Sequence, residues 1–289
     1  MDLLVDPIIQ YGFFRIGLVT AIIVGVTCSV LSCLLVVRHQ ALLGDAVSHA
    51  VLPGVAVGYL VAGHAGVFPG ALIAGLLSTV VMTWLDESTP IKLDAIMGIV
   101  FSAAFALGLA IISITRPRGI DLFHVLFGNV LGVSPADLAT TAITATLVLV
   151  ATIGLFPYFH MWSFDPNGAN AAGLPTTMLN YLFAALLAAT IVAALQAVGI
   201  VLVVAMLITP GATALLVSRR LSRMMAVAAG AGTLAAVLGL YMSYYLDIAS
   251  GPAIVLTATG LFALILLVSP RGLRRHRVPV VSSRPRTNR

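Results

Sequence analysis

Long apolar stretches divide this chain, and the gaps between its charged residues mark where they fall. No Asp, Glu, Lys or Arg occurs between Arg15 and Arg38, between Asp45 and Asp86, or between Asp94 and Arg116. The same holds from Asp137 to Asp165, Asp165 to Arg219, Arg223 to Asp247, and Asp247 to Arg271. About 20 apolar residues in a helix cross the hydrocarbon of a bilayer. Intervals 45–86 and 165–219 are long enough for two crossings each and the others for one. The pattern therefore predicts nine helices, near 14–37, 41–62, 67–85, 93–114, 139–160, 178–195, 198–218, 224–245 and 252–270. Pro53 and Pro69 interrupt the second and third, where boundaries are hardest to draw.

Composition excludes a water-soluble domain. Hydrophobic residues make up 60% of the chain and charged residues 9%, where soluble domains carry roughly 25% charged residues. Most of the outer surface must face lipid, and only helices or closed barrels satisfy the backbone there. The fold class expected is all-α, a polytopic transmembrane bundle of eight to nine spans over residues 1–270, followed by a basic tail, 271–289. No basic n-region or small-residue cleavage site precedes the first span, so no removable signal peptide is expected. Cys28 and Cys33 both fall inside that span and read as small packing residues.

Positive residues collect on the cytoplasmic side. Arg219, Arg220 and Arg223, together with the tail arginines, fix the orientation: C-terminus inside, N-terminus outside, as a multi-pass protein of the inner or plasma membrane. Arg116 and Arg118 run mildly against the rule. The tail, with Pro279 and Pro285 among its arginines, reads as a disordered segment with affinity for anionic membrane lipid, and not as a nucleic-acid binder.

Two segments are not simple spans. Val125–Val133 is apolar but too short to cross, and suits the outer interface. On the inner side, Phe164–Pro175 reads FDPNGANAAGLP. Asp165 suits an N-cap, Pro166 the first helical position and Gly173 the residue after the C-cap, with Pro175 blocking continuation. A short cytoplasmic helix of about two turns is predicted. Asn167 and Gly168 make it weak on its own, so something else should hold it.

One pair of side chains carries candidate chemistry. In ALLGDAVSHAVLPGVAVG, 41–58, Asp45 and His49 are four residues apart and share one helix face. Counted from residue 41, His49 lies roughly 12 Å along the helix axis. An ionisable acid in an apolar span is costly and faces a cavity or a partner. Carboxylate oxygen and imidazole nitrogen suit manganese, zinc or iron, and not copper(I), which wants thiolate or thioether. The alternative is an Asp45 at the cytoplasmic boundary and a His49 bonded to a neighbouring helix. Of the other histidines, His39, His64, His160 and His276 suit span ends or the tail, and His124 precedes the outer apolar segment, where it would meet an incoming metal. Gly54 and Gly58 form a GxxxG spacing that permits close helix packing.

Five segments together resemble the zinc, manganese and iron permeases of ABC importers. They are ALLGDAVSHAVLPGVAVGYL, LDAIMGIVFSAAFALGLAIIS, SFDPNGANAAGLP, VGIVLVVAMLITPGATALLVSRRL and YYLDIASGPAIVL. They run in order through residues 14–270, and the outer segment HVLFGNVLGVS resembles manganese-type members more than zinc-type ones. The resemblance implies a dimer of permeases (a homodimer favoured), cytoplasmic ATPase subunits and an extracytoplasmic metal-binding protein. It implies that Asp45 and His49 lie on the path of a transported Mn2+, Zn2+ or Fe2+. It also implies that the short helix docks into the ATPase, through Asp165, Pro166, Ala169, Ala172 and Gly173. The chain departs from the family pattern at Asn167–Gly168, and at Gly211, where alanine is frequent. No GxxxxGK[ST] stretch occurs, so ATP is hydrolysed on another subunit and this chain is not an enzyme. The rival expectations are a secondary metal transporter driven by an ion gradient, a siderophore or corrinoid permease for which Asp45 is dispensable, and a membrane scaffold.

Overall fold

The computed structural model describes residues 11–115 and 130–269. His124 and the tail 271–289 lie outside the described residues, as do Arg116 and Arg118. The described chain is all-helical, and nine of its helical stretches are long and apolar enough to cross a membrane.

In chain order the helices are α1 (Gly12–Val37), α2 (Leu42–Ala50), α3 (Leu52–Ala62), α4 (His64–Ser88) and α5 (Leu93–Thr115). A 3-10 turn, Val130–Gly132, precedes α6 (Pro135–Gly154), and two short helices follow, α7 (Phe156–Phe164) and α8 (Pro166–Ala171). The bundle closes with α9 (Thr176–Val198), α10 (Ile200–Val217), α11 (Leu221–Leu246) and α12 (Ser250–Val268). The second predicted span is thus two helices. Pro53 has no N–H to give the His49 carbonyl, so the helix breaks at Val51 and restarts with the proline in its first turn. Pro69 causes no such break and lies within α4. The fifth span was expected to run to 160. It ends at Gly154, the chain turns at Leu155, and Pro157 opens the aromatic helix α7.

The core is built around α1 and α9. α1 packs against α6, α10 and α11, and α9 against α4 and α6. Hydroxyls on these helices mostly satisfy themselves: Thr20 donates to the Ile16 carbonyl and Thr27 to Ile23, both at 2.8 Å. At the α3–α4 hairpin the backbones nearly touch. A Cβ added at Gly54 or Gly58 would collide with the carbonyl oxygen of Gly70 or Gly66.

Gly211 has a specific reason. Pro210 sits inside α10, where it breaks the local hydrogen-bond ladder. Ser32 of α1 fills the gap: its Oγ accepts from the Gly211 N–H (2.9 Å) and donates to the Ile208 carbonyl (3.2 Å). A Cβ at 211 would strike Ser32, so alanine there excludes the bridge. Gly168 is similar on a smaller scale, since a Cβ there would strike the Asp165 carboxylate that caps α8.

Candidate functional site

α2 is amphipathic in an unusual sense. Leu43, Ala46, Val47 and Ala50 are buried, at the spacing of one helical face. The opposite face carries Asp45 and His49. Asp45 lies in the first turn, where the helix dipole favours an anion.

The side chains meet: His49 Nε2 lies 3.5 Å from Asp45 Oδ1. That is long for a charge-assisted hydrogen bond and close enough for one ion to bridge both groups. Asp45 is 48% exposed and His49 22%, so the carboxylate opens outward while the imidazole is partly covered. The cover comes from α5. The His49 ring centroid is 5.2 Å from that of Phe101 and 5.5 Å from that of Phe105, the second edge to face. His49 Nδ1 is buried without a hydrogen-bond partner. Ser48, beside it, donates to the Gly44 carbonyl at 2.7 Å and so serves its own helix.

Chemically the pair offers one hard oxygen and one borderline nitrogen to a divalent ion. Among the described residues no group of three or more His, Cys, Asp or Glu side chains is disposed to hold a metal. Two ligands leave a divalent transition metal short of its usual four to six.

The other candidates are scattered. His39 sits at the α1–α2 joint in the left-handed region, φ 57°. His64 starts α4 and packs edge to face on Tyr59 at 5.4 Å. His160 stacks between Phe156 and Phe164 on α7. Cys28 and Cys33 are buried in α1. None of these joins Asp45 and His49.

The short helix forms as its cap residues predict. Asp165 Oδ1 accepts from the Gly168 N–H at 2.8 Å. At the far end Gly173 takes φ 80°, its N–H donates to the Asn170 carbonyl, and Leu174 N–H donates to Ala169, each at 3.0 Å. This is the Schellman arrangement. Pro166, Asn170, Ala172 and Gly173 are exposed. Ala169 is not: it is fully buried against the chain's own helices. It therefore anchors α8 and offers no docking surface, because α8 has one inward face and spacing alone does not say which residue takes it.

Phe101 and Phe105 went unnoticed in the sequence. They lie on one face of α5 at i and i+4, but nothing in an all-apolar helix distinguishes them from lipid-facing phenylalanines.

Comparison with known proteins gives a consistent picture. Residues 10–269 match the ABC 3 transport family. The manganese transport system membrane protein MntC of Halalkalibacterium halodurans is 46% identical over 92% of this chain and 90% of its own length. The chelated iron transport system membrane protein YfeD of Yersinia pestis is 40% identical over 91% of this chain and 88% of its own. In solved structures, PsaBC from Streptococcus pneumoniae in complex with Fab aligns with a TM-score of 0.83 and 37% identity, covering 93% of this chain and 96% of that one.

Proposed function

The chain belongs to the ABC 3 transport family, and from that premise we propose that it is the membrane permease of an ATP-driven importer of manganese. It is a transport subunit and not an enzyme; ATP is hydrolysed by a separate partner. The observation that carries the proposal is the Asp45–His49 pair, an oxygen and a nitrogen ligand 3.5 Å apart on a half-open helix face. The manganese protein named above, 46% identical, supports the choice of cargo. Ferrous iron is the second reading. The YfeD relative carries iron in its name, and the same ligand pair accepts it.

Two such permeases face each other across the α2–α5 surface. Each contributes Asp45 and His49, so that two carboxylates and two imidazoles surround one ion. The two carboxylates offset the charge of the ion where the dielectric is low, and the imidazoles replace part of its hydration shell. Ligation must stay weak enough for release. Phe101 and Phe105 hold the imidazole ring and exclude lipid from it. An extracytoplasmic binding protein delivers the ion. On the opposite side α8 docks through its exposed residues into the ATPase, whose closure drives alternating access. Orientation follows the lysine and arginine balance. Among the described residues, Arg38, Lys92, Arg219, Arg220 and Arg223 flank the α8 end of the helices, and Arg15 flanks the other. The α8 end is therefore cytoplasmic.

Radiolabelled manganese uptake tests the proposal in cells with and without the chain, under ATP depletion and, separately, under dissipation of the membrane potential. Uptake should require the chain, fail without ATP, survive loss of the potential, and be competed less well by zinc and ferrous ions than by unlabelled manganese. Uptake that follows the potential and ignores ATP would instead mean a secondary transporter.

A further inference from the structure

α8 packs on α7 and α9. A displacement imposed on it by an ATPase can reach α2 through α9, which packs on both helices, and a side-chain cluster at the end of α1 offers a second connection. Arg38 ends α1, four residues before α2 begins. Its guanidinium Cζ lies 3.6 Å from the centroid of the Trp162 ring, on α7. Its Nη1 donates to the Trp162 carbonyl at 3.1 Å and its Nη2 to Asn180 Oδ1 at 3.4 Å. Trp162 Nε1 donates to the same Asn180 oxygen at 2.9 Å, and Asn180 Nδ2 donates to Glu87 Oε1 at 3.0 Å. Four elements are thus tied at one point: the end of α1, the end of α4, α7, and the first turns of α9.

Both flanks of this cluster are stiff. Toward α8, Asp165 N–H donates to the Met161 carbonyl at 3.0 Å while its carboxylate caps the helix, so α7 and α8 turn as one piece. Toward α2, Gln40 N–H donates to Leu35 (2.9 Å) and His39 N–H to Val36 (3.2 Å), a closed α1–α2 joint. Beside the cluster lies a small gap with room for about one water molecule, lined in part by Gln40, Leu43, Asp86, Trp162 and Asn180.

The cluster is costly to keep. Trp162 is buried, and Arg38 Nε is buried without a partner. Burial pushes the guanidinium pKa down to about 10, against the opposing charge of Asp86. A purely structural joint would be better served by an apolar side chain.

We propose that Arg38, stacked on Trp162 and held by Asn180, is the positioning residue that carries movement of α8 to the metal-bearing helix α2. The proposal rests on α8 as the ATPase dock and on Asp45–His49 as the ion station. Arginine is required because its planar fork both stacks and donates twice; lysine keeps the charge but not the fork.

The test uses the full complex of permease, ATPase and binding protein in proteoliposomes, reading manganese transported per ATP hydrolysed. Arg38→Gln should retain ATPase association, ATP hydrolysis and manganese binding, and lower the ratio about fivefold or more, the lower range of allosteric couplings. Arg38→Lys should restore part of it. Trp162→Phe, which keeps the ring and loses the bond to Asn180, should lower it less. The double variant should be no worse than Arg38→Gln alone, since the pair acts as a unit. An unchanged ratio in Arg38→Gln overturns the proposal; if that variant does not assemble, an unchanged ratio in Arg38→Lys and Trp162→Phe does so. Failure of all three to assemble makes the cluster structural and also overturns it. An Ala172→Asp arm separates two failures. Lost ATPase association there, with an unchanged Arg38→Gln ratio, places the fault in the cluster; retained association there, with the same unchanged ratio, places it in the docking reading of α8.

Discussion

The interior helix α1 and the outer helix α5 are equally apolar, each with a mean hydropathy of 2.5 in its best window, yet 72% of that window is buried in α1 and 17% in α5. Hydropathy therefore does not distinguish scaffold from working surface here. The exposure of polar groups does. In α1, threonines return their hydroxyls to their own helix, and Ser32 repairs the proline gap in α10. On the α2–α5 face, Asp45 stays half open and His49 keeps an unpartnered nitrogen. Polar groups of the scaffold helix are buried, Ser29 among them without a partner, whereas the carboxylate proposed to hold the ion is half open.

Substitutions at glycine should expose this difference most sharply. Gly58→Val drives a side chain into the Gly66 carbonyl, and overpacking of this kind costs about 1–3 kcal/mol. Folded protein in the membrane should fall severely. Gly98→Ala on α5 meets nothing within reach and should leave the folded amount unchanged. Equal losses from both would break the distinction between packed interior and open face.

A second pair divides α8. Ala169→Asp buries an unpaired carboxylate, costing several kcal/mol unless it protonates, and should lower the melting temperature of the purified permease. Ala172→Asp, on the exposed side, should leave that temperature within about 1 °C, because exposed substitutions rarely change stability much. It should instead weaken ATPase association in a pull-down. A normal melting temperature for Ala169→Asp would contradict the burial assigned to it.

Aromatic support of the imidazole is a smaller effect. Phe105→Ala removes the edge-to-face partner of His49, an interaction of about 0.5–1.5 kcal/mol. Manganese uptake should fall a fewfold, with membrane abundance unchanged. The smallest effect is a gain. His39 adopts φ 57° at an exposed joint, where glycine is relieved of a penalty of about 1–2 kcal/mol. His39→Gly should raise thermal stability slightly, and a loss would mean that the imidazole has a partner of its own.

Much of this was legible in the sequence. Gaps between charges locate nine spans because lipid tolerates few charges on any face, and the described residues hold nine such helices. Asp165, Pro166 and Gly173 announce a capped helix because each fits one backbone position, and α8 forms where they place it. What escaped has a physical reason in each case. Pro53 breaks its helix and Pro69 does not, because only tertiary packing decides whether a missing N–H ends a helix. The exposed face of α8 was misassigned at Ala169 because two turns give too little periodicity. Asp45 and His49 were visible from their spacing of four, whereas Phe101, Phe105 and the Arg38–Trp162–Asn180 cluster join residues distant in sequence and leave no local pattern.

The central claim is that Asp45 and His49 hold the transported ion. It is tested most directly by radioactive manganese uptake in cells carrying Asp45→Asn or His49→Phe at matched membrane abundance. Asp45→Asn keeps the shape and removes the charge; His49→Phe keeps much of the bulk and removes the nitrogen. Both changes make the span more apolar, so insertion should persist. Uptake should be abolished or sharply reduced in each, and the double variant should be little worse than either, because ligands to one ion are not additive. Normal uptake by either single variant would contradict the claim.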